Sequence, residues 1–393
     1  MFDSLLLKQK EYLRSKKWHS GLEINSKLIE LAPENASLYR DRSLFFRRLK
    51  DLESAQEAMK TFLSIECDND FNQMLGDINH QLKKTLSLAS LCSKYKVTAS
   101  GGFNYGTIEH VADDGRQFFT KISQSSVGNK ETYFYKTIRE RCPELKKITV
   151  DLCNEFKNKK GKITFLTFPK VIGSHASLEL NKDYIFSIYR IISGIDAQTL
   201  SEYLANDVGS VVSSRQELKL SLIFSQLDNN KVQKQVFKWI NKKLNQYSSE
   251  SMGSVVSDFL WLEKEVLVNK IFERMKDKSY YTMMHGDFHQ GNLLMGQDGL
   301  MYLIDWPNMG VAPKGVDMTK MFRREKWNFN RIRTEFLDKP EINNNMLKIE
   351  KCAFLFAMAL TWLNFMPKTT LTNYNDYLGG LFYYMRSEAV SGC

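Results

Sequence analysis

His285-Gly286-Asp287-Phe288-His289-Gln290-Gly291-Asn292, followed ten residues on by Tyr302-Leu303-Ile304-Asp305-Trp306, is the stretch on which the reading of this chain turns. An Asp is followed five residues later by an Asn. A short apolar run then passes through Gln297-Asp298-Gly299, a turn sequence, into a second apolar run that ends on another Asp. A hairpin over Asn292–Asp305 would return the second carboxylate to the end of the sheet where the first one sits. Three oxygen-bearing side chains at one sheet end suit a hard cation that bridges phosphates. A buried Asp and Asn in a helical domain would account for neither the hairpin nor the order of the residues.

The segment HGDFHQGNLL (285–294), with LIDW (303–306), resembles the aminoglycoside phosphotransferase and choline kinase group, whose members share a two-lobed fold with the protein kinases. Trp306 after the second Asp, in place of Phe-Gly, is typical of that group. The resemblance implies an α+β chain of protein-kinase-like fold, with a small β-rich lobe and a large helical lobe. It implies ATP and Mg2+ as cofactors, with Asp287 orienting the acceptor hydroxyl and taking its proton, and Asn292 and Asp305 as metal ligands. Lys121, which ends Phe118-Phe119-Thr120-Lys121, would take the role of the kinase lysine. Its partner would be Glu131, which opens the next helix, or else Glu140; without Asp287 and Asp305, Lys121 would read as an ordinary strand-end lysine.

Other parts follow from the same resemblance. Gly101 and Gly102, within Ser100–Gly106, would let backbone N–H groups approach phosphates, although hairpin loops commonly carry glycine anyway. Tyr184–Gly194 resembles the strand-to-linker passage between lobes, where the Arg190 carbonyl and the Ile192 N–H would bond adenine. Asp317 matches the family's loop-ordering Asp, and His285 is expected to brace the catalytic loop. His289 reads as a family-typical loop residue.

Working outward, the N-terminal region superposes on itself at a shift of 34 residues. Leu5 falls on Tyr39, Tyr12 on Phe46, Trp18 on Leu52, Gly21 on Ala55, and Leu28 on Phe62. Pro33 breaks the second helix. The period resembles two tetratricopeptide repeats, with a further helix over 71–94, and a plain helical bundle is the alternative. The expected plan is therefore a separately folding helical repeat unit over 1–94, a kinase-like small lobe over 95–192 and a large helical lobe over 193–393. The small lobe is expected to hold a hairpin turning at Asp113-Asp114-Gly115, a polar loop over 123–129, a helix over 130–141, and strands over 163–172 and 184–192.

Composition bounds the rest. A chain of 393 residues exceeds the roughly 250–300 that one core usually supports. With 43% hydrophobic and 25% charged residues and 7 Pro, a disordered or collagenous protein is excluded. The longest apolar run, Ala353–Met366, is interrupted by Thr361 and Asn364 and reads as a buried helix, so no membrane span is expected. The N-terminal segment lacks the features of a signal peptide. The six Cys lie far apart without metal-ligand spacing, which fits free thiols and a cytoplasmic location.

A net charge of +10 comes with no zinc-finger or RNA-binding motif, so no nucleic-acid partner is expected. Lys314, Lys320, Arg323, Arg324, Lys326, Arg331 and Arg333 face only Asp317 and Glu325 in the sequence. That stretch is either a solvated helix face or one wall of a site for a small-molecule or glycan acceptor that carries negative charge. The expected activity is phosphoryl transfer from ATP to a hydroxyl of a small molecule, a sugar or cell-surface glycan precursor. The alternatives are an aminoglycoside or choline/ethanolamine-type kinase, or a scaffold with weak kinase activity docked through a protein or peptide partner on the repeats.

Overall fold

The computed structural model describes residues 2–66, 98–99, 104–111, 115–158, 161–196, 278–365, 380, 383 and 384. The expected helix over 71–94, the loop with Gly101 and Gly102, and the helices expected over 197–275 lie outside the described residues. The chain divides into two compact units, Met1–Tyr135 with Val150–Val171, and Lys136–Thr149 with Ile172–Cys393.

In the first unit, α1 (Phe2–Ser15), α2 (Trp18–Leu31), α3 (Ala36–Arg48) and α4 (Leu52–Glu66) are joined by short turns. Phe2 to Ala36 and Trp18 to Leu52 are each 34 residues, so the second hairpin starts in the register of the first. Asn35, just beyond Pro33, caps α3 by accepting from the Ser37 amide at 3.2 Å. Gly21 is required by packing: a Cβ there would stand 2.3 Å from the ring of the fully buried Phe45.

The sheet of this unit contains β1 (Thr98–Ala99), β2 (Asn104–Val111), β3 (Gln117–Gln124), β4 (Asn154–Lys157) and β5 (Ile163–Pro169). Its order is β1-β2-β3-β5-β4, with every neighbouring pair antiparallel. The expected β2–β3 hairpin forms, and its turn carries Gly115 at φ +84°. The polar loop expected over 123–129 does not form; α5 (Ser125–Tyr133) starts directly after β3. Its start is fixed by the Ser125 amide donating to the Lys162 carbonyl and by Thr164 Oγ1 meeting Ser125 Oγ at 3.0 Å. A Cβ on Gly128 would lie 2.5 Å from Thr164, so only glycine lets this helix approach β5 so closely.

One core joins the second hairpin to the sheet. Ala36, Met59, Phe62 and Leu63 from α3 and α4 pack with Ile108, Phe118, Ile122, Ile163 and Phe165. Helices α3 and α4 therefore cover one face of the sheet, while Ile24, Leu28 and Leu38 form a separate cluster with the partly buried Leu5, Leu6 and Tyr12.

In the second unit, β6 (Gly173–His175), β8 (Leu293–Gly296) and β9 (Met301–Leu303) form a three-stranded antiparallel sheet. The expected hairpin is β8–β9, with Gly299 at φ +76° in its turn. Strands β7 (Tyr281–Met284) and β10 (Gly310–Pro313) form a separate antiparallel pair. Helix α6 (Leu178–Ser193) replaces the strand expected over 184–192. Among its buried residues, Ile185, Ile188, Tyr189 and Ile192 recur at three and four positions, which is a helix face. Helix α7 (Met318–Arg324) is anchored by Phe322, whose ring meets Trp327, Phe336 and Phe354, while α8 (Lys348–Phe365) carries the apolar run. No described helix is long and apolar enough to cross a membrane.

Removing residues 1–93 would expose Ile108, Phe118, Ile122, Ile163 and Phe165 to water. A chain starting at Lys94 is expected to aggregate, or to unfold well below the full chain, in size-exclusion and thermal-melt measurements. A monodisperse truncated protein with an unchanged melting temperature would show that the shared core is dispensable.

Candidate active site

The loop between β7 and β8 is held by its own backbone and by three buried side chains. Gly286 sits at φ +80°, and a Cβ there would fall 1.9 Å from the Asn308 carbonyl oxygen, so no other residue fits. Asp317 accepts from both amides at the bend, from His285 N at 2.6 Å and from Gly286 N at 2.9 Å. The His285 ring spans the loop. Its Nδ1 accepts from the Asp287 amide at 3.2 Å, and its Nε2 lies 3.0 Å from the Ile304 carbonyl at the end of the hairpin. Those partners fit a neutral ring protonated on Nε2. Burial pushes this imidazole down to about 4, in keeping with that state.

Asn292 closes the loop from the other side. Its Nδ2 donates to the Asp287 carbonyl at 2.9 Å, and its own carbonyl accepts from the Ile304 amide at 2.9 Å. Asp305, the next residue, is held at φ +69°, a left-handed conformation that a non-glycine residue rarely adopts. The hairpin thus returns Asp305 to the chain that bears Asp287 and Asn292. Trp306 is fully buried beneath it, donating through Nε1 to the Leu303 carbonyl and meeting His285 edge-on at 4.6 Å between ring centroids.

The Asp287 carboxylate is half-buried. Lys320 of α7 donates to its Oδ1 at 2.9 Å, and His289 Nε2 lies 3.4 Å from the same oxygen. Burial works against its ionised form, but the hydrogen bonds and charges of His289 and Lys320 prevail and hold it well below the usual carboxylate range. Asp317 behaves oppositely: burial pushes it up to about 6 despite its two amide donors. Sequence reasoning placed Asp287, Asn292, Asp305, Asp317 and His285 in this region. It did not assign Lys320 to the loop.

In the first unit, Lys121 on β3 and Glu131 on α5 form a buried ion pair at 2.6 Å. Glu140, the alternative partner, is instead paired with Lys146 at 2.7 Å and Arg139 at 3.0 Å. The adenine contacts expected at Arg190 and Ile192 assumed a strand. Both residues lie inside α6, and the Arg190 carbonyl accepts from the Gly194 amide at 2.9 Å, so the strand premise of that assignment does not hold. The basic stretch over 314–333 is also less open than its sequence suggests. Lys314 pairs with Glu350, Lys320 with Asp287, Arg331 with Glu179 and Glu335, and Arg333 with Asp338.

A five-stranded antiparallel sheet whose third strand carries a lysine paired to a glutamate on the next helix is one mark of the protein-kinase-like fold. A second is the loop bearing Asp287 and Asn292, followed by a hairpin ending on Asp305. The chain belongs to the family described as "DUF1679: Uncharacterized oxidoreductase dhs-27", whose family model matches residues 80–324. No curated protein matches the sequence.

Among solved structures, the chain is similar to aminoglycoside phosphotransferase APH(4)-Ia, at 10% identity over 77% of this chain and 94% of that one, with a TM-score of 0.40. It is similar to the choline kinase LicA from Streptococcus pneumoniae, at 14% identity over 81% and 99%, with a TM-score of 0.39. The macrolide 2'-phosphotransferase MphH from Brachybacterium faecium aligns at 11% identity over 81% and 93%, with a TM-score of 0.41.

Two outcomes follow from these contacts. Lys121→Met leaves Glu131 buried without its cation and should destabilise the fold by about 3–5 kcal/mol, while Lys121→Met with Glu131→Gln should recover most of that loss in denaturant titrations. Asp317→Asn keeps one acceptor but turns an amide donor towards the second backbone N–H. It should lower stability by about 1–3 kcal/mol and speed hydrogen exchange at the amides of His285 and Gly286.

Proposed function

We propose that the chain is a phosphotransferase that moves the γ-phosphoryl group of ATP to a hydroxyl of a small molecule. The observation that carries this reading is the closed loop that holds Asp287 and Asn292 beside the hairpin end bearing Asp305. The acceptor oxygen would bond to the γ-phosphorus as its bond to the β–γ bridging oxygen breaks. ADP leaves with that electron pair, and the hydroxyl proton passes to Asp287. Because the transition state is loose, alignment matters more than basicity, which suits a carboxylate whose proton affinity is low.

The residues present fit Mg2+. Asn292 spends its Nδ2 on the Asp287 carbonyl, and its Oδ1 has no partner among the described residues. With Asp305 it offers the one or two oxygen ligands that this ion takes from protein when phosphates and water supply the rest. Once bound, the ion would offset negative charge on the phosphates. Lys121, aligned by Glu131, is the candidate for the α/β-phosphate contact, and Gly101 and Gly102 are, from the sequence, candidates for backbone contacts to the nucleotide.

A sugar or glycan precursor with negative charge is the acceptor class we favour, because the cations that lie at the loop are Lys320 and Arg324. The Arg324 guanidinium comes within 3.7 Å of where a Cβ on Gly291 would stand. Aminoglycoside or choline-type acceptors are the competing class. Tetratricopeptide-like hairpins α1–α4 would offer a surface to a protein or peptide partner, and their shared core with the sheet supports a covering role as well. The word oxidoreductase in the family's description belongs to the protein it names. Hydride transfer would make no use of Asp287, Asn292 and Asp305 as a set.

Asp287→Ala and Asp305→Ala should each abolish phosphoryl transfer without unfolding the chain, with MgATP binding weakened mainly in Asp305→Ala. The assay is ADP release across sugars, amino alcohols and aminoglycosides, with calorimetry for the nucleotide. Turnover within a few-fold of wild type in both variants would remove the assignment, and tight binding of a nicotinamide nucleotide in place of ATP would favour oxidoreduction.

A further inference from the structure

Among the described residues, Lys320 contributes the one ammonium group that touches the Asp287 carboxylate. Its Nζ bridges two acceptors of the same residue pair, the Gly286 carbonyl at 3.1 Å and Asp287 Oδ1 at 2.9 Å. His289 Nε2 approaches that same oxygen. Asp287 Oδ2 has no partner among the described residues, although a quarter of the side chain remains accessible. The carboxylate is therefore gripped through one oxygen and open at the other.

The grip is rigid at its root. On α7, Met318, Thr319, Met321 and Phe322 are buried, and Phe322 packs against Trp327, Phe336 and Phe354. Asp317, one residue before the helix, holds the bend at His285 and Gly286. One short segment thus fixes the loop backbone through Asp317 and the rotamer of Asp287 through Lys320. A solvated surface lysine would show neither the bridging contact nor the buried helix beneath it.

We propose that Lys320 is a positioning residue of the phosphotransfer site: it pins Asp287 through Oδ1 so that Oδ2 faces the hydroxyl that attacks the phosphoryl group. The proposal rests on the phosphotransferase reading given above.

The test needs no knowledge of the natural acceptor, since water can serve as one. In MgATP hydrolysis the water oxygen bonds to the γ-phosphorus, ADP leaves with the electron pair of the broken bond, and the water proton passes to Asp287 and on to solvent. Full-length wild type, Lys320→Met and Lys320→Arg are compared for kcat and KM of MgATP hydrolysis, with melting temperatures alongside. Misplacing a positioned group typically costs about ten-fold or more in rate, so Lys320→Met should lose at least that in kcat while KM for MgATP stays within about two-fold. Lys320→Arg, which keeps the charge and the donors, should recover most of the rate.

A merely structural lysine would lower the melting temperature of Lys320→Met and leave kcat unchanged, and that outcome overturns the proposal. Equal loss in the Met and Arg variants also overturns it. If wild type neither binds nor hydrolyses MgATP, the phosphotransferase reading itself fails and the proposal goes with it. A hydrolysing wild type with an equally active Lys320→Met sinks the positioning role alone.

Discussion

The geometry of the candidate site depends on the bend at His285-Gly286, and the bend depends on one buried carboxylate. Two consecutive amides point the same way there, which leaves two donors without any strand partner. Asp317 takes both, one on each oxygen. Leaving even one such donor unpaired in the interior costs about 1–3 kcal/mol, so the loop has little freedom to open while Asp317 stays in place. Gly286 completes the constraint, because the Asn308 carbonyl occupies the space of a side chain. From this fixed bend, Asp287 is presented, His285 reaches across to Ile304, and the hairpin is drawn back to Asn292.

This arrangement carries an electrostatic tension. Asp317 is fully buried and pushed up to about 6, so ionising it as the pH rises through that value works against the fold relative to an unfolded chain, whose carboxyl ionises near 3.8. Two amide donors and the Lys320 ammonium oppose that penalty, while the Asp287 charge adds to it. Lys320 thus offsets charge on both carboxylates. Its contact with Asp287 is direct and its effect on Asp317 acts through space, which lets one cation support both the bend and the group the bend presents.

Much of this was legible in the sequence, and the parts that were not have a common cause. Asp287, Asn292 and Asp305 could be read because their relation is set by a local hairpin with a Gln297-Asp298-Gly299 turn. Lys121 and Glu131 could be read because a strand and the helix directly after it carry them. The strand misread over 184–192 contains Ile185, Ile188, Ile191 and Ile192, whose β-branched side chains suggest extended chain, yet the burial of 185, 188, 189 and 192 follows a helical period that decides the element. Lys320 looked like one charge among seven. Only tertiary structure separates it from Lys314, Arg331 and Arg333, which are held by acids elsewhere in the chain.

The N-terminal hairpins teach the same point from the side of packing. Their 34-residue period is a local property and could be read directly, whereas the destination of their apolar face could not. Met59, Phe62 and Leu63 meet Ile108, Phe118 and Ile122, which come from strands far along the chain. Those strands lie one residue pair from chemistry: Ile122 follows Lys121, and Ile108 follows Thr107, the register partner of Lys121 across the β2–β3 ladder. Alternation along a strand puts Lys121 and Ile122 on opposite faces of the sheet. The second hairpin buries the Ile122 face, so the opposite face is left to hold Lys121 against Glu131. A cover on one side of the sheet thereby stiffens the strand that presents the buried ion pair on the other.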